Sequence, residues 1–198
     1  MADNVISLKA APDIRFHTFA GKLGPFAQAK DIELYNHVYL FWESYWKKVM
    51  ASIQSSLPPT EEFFRQDHVL ALIDHAELKP RVVAFICLNH YHLASTAIHH
   101  PYFQNFTEPF HGHLRAAQIR SAWTAQFITV NEAYSPKITH VSYASVIFGL
   151  LQELYAPLAG PRTALIAVAR SDNGSCNTAL RFGWQVIGAP ITCHPNRR

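Results

Sequence analysis

The sequence predicts a mixed α/β domain, and three observations carry that reading. Residues 69–73 and 82–88 are short, β-branched, nearly continuous apolar runs joined by the polar stretch DHAELKPR, the pattern of a buried antiparallel hairpin. Residues 31–53 place Leu34, Val38, Phe41, Trp42, Tyr45, Val49 and Ile53 on one helical face. Residues 123–130 and 163–168 read as strands on either side of a helical segment at 147–155, and strands separated by a helix pair in parallel.

Taken in order, a first strand is expected at 14–19, followed by a Gly/Pro turn at 21–25. The long helix begins with Asp31 and Glu33 near its positive end and carries Lys47 and Lys48 toward its C-terminal part. SSLPP ends it, and Thr60 before Glu61 and Glu62 caps a short second helix. The hairpin follows. Residues 94–121, with four histidines, several aromatics, Pro101 and Pro109, show no clean period and are left without an assigned element. After the parallel strands, residues 173–182 read as a helix stopped by Gly183, and residues 184–191 as a last strand.

The chain has 198 residues, 49% of them hydrophobic and 13% aromatic, which excludes disordered, collagen-like and low-complexity classes. A single domain over residues 1–198 is the simplest organisation at this length. Charged residues make up only 16%, and 12 histidines outnumber the lysines. The net charge of +3 is uneven: residues 1–100 sum to −1, whereas residues 101–198 sum to +4. Arg115, Arg120, Arg162, Arg170 and Arg181 contribute to that second half, which suits a small polyanion or an acidic protein. The basic residues are too few and scattered for a nucleic-acid footprint, so no nucleic-acid partner is expected. Three cysteines without a CxxC spacing argue against a disulfide framework, and no stretch reaches the ~20 apolar residues of a membrane span. A cytoplasmic protein is expected.

The tail from 163 to 188, TALIAVARSDNGSCNTALRFGWQVIG, resembles the end of the fold of the GNAT superfamily of N-acetyltransferases. In that family a strand is followed by an Asn-containing turn, a short helix and a Gly-aromatic pair, here Asn173 and Gly183-Trp184. Residues 179–191 are also similar to the acyl-homoserine-lactone and N-acyl amino acid synthase branch. The resemblance implies a GNAT-like, mostly antiparallel sheet with a splayed parallel strand pair flanked by helices. It implies transfer of an acyl group from a thioester carrier, acyl-coenzyme A or acyl carrier protein, to a small-molecule amine such as an amino acid, with no metal. Acyl carrier protein would then be a partner as well as a donor.

By the same resemblance, Ile128 to Val130 would offer a strand edge to the carrier, with Asn173 on the opposite side. The phosphate-binding pattern of the family falls on THVSYA, which places Thr139, His140, Ser142 and Ala144 at the carrier's pyrophosphate. Both family glycines are missing there. The signature Glu-Ser-Arg-Phe of the lactone synthases corresponds to Thr124-Ala125-Gln126-Phe127, without the glutamate or arginine, so amide formation is favoured over lactone formation.

Acyl transfer needs a base and a donor for the developing oxyanion. Glu132, just past the fourth strand, is the candidate base, and His140, read as standing at a helix N-terminus, is the second. The family's tyrosine acid is absent, and Ser175 or Cys176 would substitute for it. Tyr35, Tyr39, Trp42, Tyr45 and Trp46 of the long helix are candidates to line an apolar pocket.

Two other readings stay open. His90-x-His92 puts two imidazoles on one strand face, with His99, His100, His111 and His113 as further ligands for a metal-dependent hydrolase. The missing glycines and tyrosine also fit a catalytically inactive module that binds an acyl carrier or acyl ligand.

Overall fold

The computed structural model describes residues 12–21, 28–93, 101–104, 106–169 and 174–187. Its centre is a five-stranded sheet in the order β1-β2-β3-β4-β5: β1 (Ile14–Ala20), β2 (His68–Asp74), β3 (Arg81–His92), β4 (Ser121–Val130) and β5 (Thr163–Ala167). The first four strands are antiparallel in sequence order, and only β4 and β5 are parallel. The predicted hairpin is β2–β3, and the parallel pair follows the connection through a helix.

Helices cover both faces, which is why the central strands are apolar at consecutive positions. On one face lies α1 (Ala29–Ser52), whose Leu34, Tyr35, Val38 and Trp42 pack on Val69, Ala71, Phe85 and Cys87, with α2 (Thr60–Phe64) adding Phe63. On the other lies α6 (Tyr143–Tyr155), whose Ile147, Phe148 and Leu151 meet Leu70, Ala84, Ile86 and Leu88. The alternation of Val69 and Ala71 against Leu70 and Leu72 divides β2 between the two layers.

The unassigned stretch contains α3 (Pro101–Gln104) and α4 (Glu108–Ala116). Phe103, Phe110 and Leu114 form one buried stripe over Ala122 and Ile166, but two short helices with a break between them blur the period. A four-residue helix, α5 (Pro136–Thr139), precedes α6, and α7 (Ser175–Arg181) packs on it through Ala179 and Phe182.

Gly183 takes φ 82°, as its position predicts. The N–H of Gly183 reaches Leu180 O at 3.0 Å, and that of Trp184 reaches Ala179 O at 3.2 Å, which closes α7 with a left-handed cap. The expected last strand is corrected over its described part: residues 184–187 have no regular structure. Trp184 turns onto Phe148, ring centroids 5.6 Å apart, instead of extending along the sheet. Residues 188–191 of that expectation lie outside the described residues.

Candidate functional site

β4 and β5 are in register from Ser121 opposite Thr163 to Ala125 opposite Ala167, where β5 ends. β4 runs on to Val130. Beyond it, Asn131 donates its N–H to Val83 O of β3 at 2.8 Å. Backbone groups alternate sides along a strand, so those of Val130 face the opposite edge, beyond the end of β5. This edge can accept an extended molecule as if it were another strand. Ile128 and Val130 are both half-buried, with side chains on the α6 face.

The same stretch of β4 is bent. Thr129 pairs with Phe85 and Gln126 with Cys87, so Phe127 and Ile128 together oppose Ile86 in a β-bulge. Phe127 has φ 54°, a left-handed conformation that costs a non-glycine residue about 1–2 kcal/mol. The surroundings hold it there. Its ring meets Trp42 and Trp46 edge-on at 5.6 and 5.2 Å. The Trp46 indole N–H donates to Thr129 Oγ1 at 3.0 Å, and that hydroxyl donates to Phe127 O at 2.9 Å. A helix residue 83 positions away thus fixes the bulge.

Immediately after β4, Asn131 ties the strand end down. Its Nδ2 donates to Val82 O at 2.9 Å, and its Oδ1 accepts the N–H of Ala133 at 3.1 Å, capping a 3-10 turn at Glu132–Tyr134. Tyr134 closes the turn by donating its hydroxyl to Asp74 Oδ2 at 2.7 Å. Burial and the Asp74 carboxylate push the Tyr134 phenol above its ordinary range. Asp74 also accepts the N–H groups of Ala76 and Asp13, at 3.0 and 3.1 Å. Burial opposes its ionisation, but these hydrogen bonds prevail and hold the carboxyl below its usual range.

The turn leaves Glu132 exposed at the rim of a cleft of about 280 Å3 between the end of β4 and the C-terminal half of α1. Phe41, Tyr45 and Val49 form its apolar wall, and Ser44, Lys48 and Ser52 its polar one. Among the described residues, neither Glu132 nor Lys48 has an ion pair or a side-chain hydrogen bond.

On the other face stands the segment at the start of α6. Thr139 is the last residue of α5, not part of an open loop, and its Oγ1 is engaged with the backbone of Tyr134, Ser135 and Val141. His140 caps the C-terminus of α5 with φ 58° and donates its N–H to Pro136 O at 3.0 Å. That corrects its expected place at a helix N-terminus, because the short α5 lies between β4 and α6. Ser142 is the N-cap of α6 and accepts the N–H of Ser145 at 3.3 Å. The N–H groups of Tyr143 and half-buried Ala144, in the first turn, have no intrahelical acceptor.

Ser175 and Cys176 open α7 and are half-buried. They stand on the α6 side of the sheet, whereas the Glu132 cleft is on the α1 side. A ligand touching both would have to pass between β4 and β5. Asn173 lies outside the described residues. Of the aromatic residues expected in an apolar pocket, Tyr35 and Trp42 are core, and Tyr45 reaches the cleft.

Among the described residues, no group of three or more His, Cys, Asp or Glu side chains could hold a metal ion. His90 and His92 do meet, ring centroids 4.7 Å apart, but His90 packs against Trp123 at 4.8 Å. His111 and His113 lie on α4, while His99 and His100 lie outside the described residues. No helix among the described residues is long and apolar enough to cross a membrane.

Sequence reasoning missed Thr129, Asp74 and Lys48 as parts of this site, and it expected Trp46 in an apolar pocket, whereas its indole bonds Thr129 at the bulge. Lys48 had a signal, since it follows Tyr45 by three residues and so shares its helical face, but only the fold brings it to the cleft that Glu132 lines.

No protein-family model matches the chain, and no curated protein sequence does. Solved structures are similar in fold. An aminoglycoside acetyltransferase from an uncultured soil metagenomic sample is 12% identical with a TM-score of 0.44, the match covering 91% of this chain and 98% of that one. A second such acetyltransferase, also from an uncultured soil metagenomic sample and in complex with sisomicin, is 9% identical with a TM-score of 0.47, covering 91% and 96%. An insect chain assigned as arylalkylamine N-acetyltransferase 7, from the yellow fever mosquito, is 14% identical with a TM-score of 0.47, covering 90% and 84%. At such identities no residue role carries across.

Proposed function

We propose that the chain is a GNAT-like N-acyltransferase that moves an acyl group from a thioester carrier to a small-molecule amine. The observation that supports this reading is the early end of β5, which leaves the bulged end of β4, between two helical layers, without a strand partner on that edge among the described residues. The amides of a pantetheine arm, from coenzyme A or an acyl carrier protein, would pair with Val130 at that edge. The N–H groups of Tyr143 and Ala144 would meet the carrier's phosphates, because the first turn of a helix attracts anions. Ser142, already engaged as the cap, would shape that turn, and His140 would add a side-chain donor beside it. Thr139 would hold the segment from within.

In the reaction the acceptor ammonium gives a proton to Glu132, directly or through a water. The amine lone pair then attacks the thioester carbonyl, the C–N bond forms and the C–S bond breaks. Of the two protons left on nitrogen, the amide keeps one and the departing thiolate takes the other, so one proton is released to solvent overall. Ser175 is proposed to relay that proton, its hydroxyl giving one to the thiolate and recovering one from the nitrogen, in place of the family tyrosine. Holding the reactants in attack geometry supplies much of the acceleration, and a positioned base adds a factor of about 10²–10⁴. The reading is tested by incubating the protein with acetyl- and octanoyl-coenzyme A and a panel of amines, and following both free thiol and N-acylated product by mass spectrometry. Product formation that depends on the protein supports it. Saturable donor binding without product favours the inactive carrier-binding module.

A further inference from the structure

We propose that the protein has a second ligand site, under the C-terminal end of α6, which binds a small uncharged molecule that is mostly hydrocarbon. The site stands apart from the acyltransfer reading. It is a cavity of about 90 Å3 whose floor draws on every strand, through Thr18, Leu70, Leu88, Trp123 and Leu165. Its roof is Leu151, Leu154 and Tyr155 of α6, with Leu158 of the 3-10 turn that follows. Tyr143 and Tyr155 mark the two ends of α6, ~18 Å apart at the rise of a helix. The cavity and the turn proposed to meet the carrier therefore lie at opposite ends of one element.

Helix and sheet part here like a wedge. Toward the start of α6, Ile147 and Phe148 are fully buried and fill the space over the sheet, whereas at its end Leu154 and Tyr155 are only half-buried and Leu158 is 52% exposed. The floor beneath stays apolar, with Leu70 and Leu88 both buried. A water needs only about 10–15 Å3 of such space, but it also needs two or more polar partners. Few are offered. The Tyr155 hydroxyl already donates to Thr163 O at 3.1 Å, and Thr18 is exposed. That leaves His68, half-buried, its ring 5.7 Å from that of Trp123 and without a hydrogen bond among the described residues. An apolar void of about 150 Å3 holds benzene, so a smaller one that opens at one end takes a ring whose edge stays in the mouth. No Lys, Arg, Asp or Glu lines the cavity, so a charged ligand would bury its charge unpaired against leucines. A single polar atom on the ligand can be answered by His68.

The test follows backbone amides and the Trp123 indole N–H by NMR during titration with three probes that share one ring: toluene, phenol and benzoate. Toluene and phenol are expected to shift His68, Trp123 and Leu154 saturably while Val130 and Glu132 stay unmoved, and benzoate is expected to bind at least tenfold more weakly. Leu154→Phe fills the cavity and is expected to raise both dissociation constants at least tenfold. If thermal unfolding shows that this variant does not fold, Leu158→Trp at the exposed mouth replaces it, with the same direction expected. His68→Leu is expected to lower the phenol-to-toluene affinity ratio about two- to tenfold, the worth of one net hydrogen bond, and to leave toluene bound. The site is overturned by the absence of saturable shifts with toluene and phenol, by benzoate binding as tightly as phenol, or by unchanged affinity in a folded filling variant. An unchanged ratio in His68→Leu overturns the role of His68.

Discussion

As the proposed base, Glu132 would depend on what its neighbours do rather than on what it touches. Asn131 fixes the strand end beside it, and the Tyr134–Asp74 hydrogen bond closes the turn behind it. Glu132→Gln keeps the shape and removes the proton acceptor. It is expected to lower kcat by about 10²–10⁴ in steady-state assays, with little change in thermal midpoint. Tyr134→Phe removes a hydrogen bond to a charged group and should cost about 1.5–3 kcal/mol by denaturant unfolding. At this scale the sequence was legible in part. Glu132 is visible as a carboxylate just past a strand, whereas the left-handed φ of Phe127 leaves no trace, because no glycine marks it. His140 was readable as a loop histidine but not as the cap of α5, since a four-residue helix has no period to detect.

At the scale of elements, the helical period of α1 and the apolar runs of β2 and β3 were plain because long or doubly buried segments repeat their pattern. The weaker signals came from α3 and α4, where each helix is too short to show a full stripe. In the acyltransfer reading the start of α6 would need no glycine, because two first-turn N–H groups have no intrahelical acceptor without any glycine conformation. Ser142→Ala removes the cap of this helix and is expected to cost about 1 kcal/mol in chemical denaturation. In the acyltransfer reading it also raises KM for the carrier, by loosening the turn that meets the phosphates. The link from α1 to the bulge gives a separate expectation. Trp46→Phe keeps the ring against Phe127 but loses the bond to Thr129, and should lower kcat more than stability, by comparison of assays with thermal unfolding.

Across the whole molecule, the shortage of charge noted in the sequence takes on a spatial sense, since few ion pairs tie the described surface together. Two histidines link stability to pH near neutrality. Burial, then His75, Lys30 and Arg15, outweigh Asp31 and depress His17. Burial and His92 outweigh Asp67 and depress His90. His17 and His75 also share a 3.0 Å hydrogen bond between their Nε2 atoms. Because the folded state binds these protons less readily, stability is full above the unfolded value of about 6.5 and falls as pH drops from there through the lower folded values. The thermal midpoint should decline over that window, and a His17→Gln, His90→Gln double variant should flatten the decline. Cys87 is fully buried, which pushes its thiol well up, so native-state alkylation mapped by mass spectrometry should spare it while reaching half-buried Cys176.

In the proposed reaction a thioester carrier adds beside the start of α6, along the edge of β4 that no described strand pairs beyond Ala125. This step is tested most directly by titrating the protein with a non-hydrolysable acyl-coenzyme A analogue and following backbone amide resonances. Saturable shifts are expected at Val130, Tyr143 and Ala144. Shifts confined to the region of His90 and His92, or none at these three amides at millimolar analogue, would contradict it.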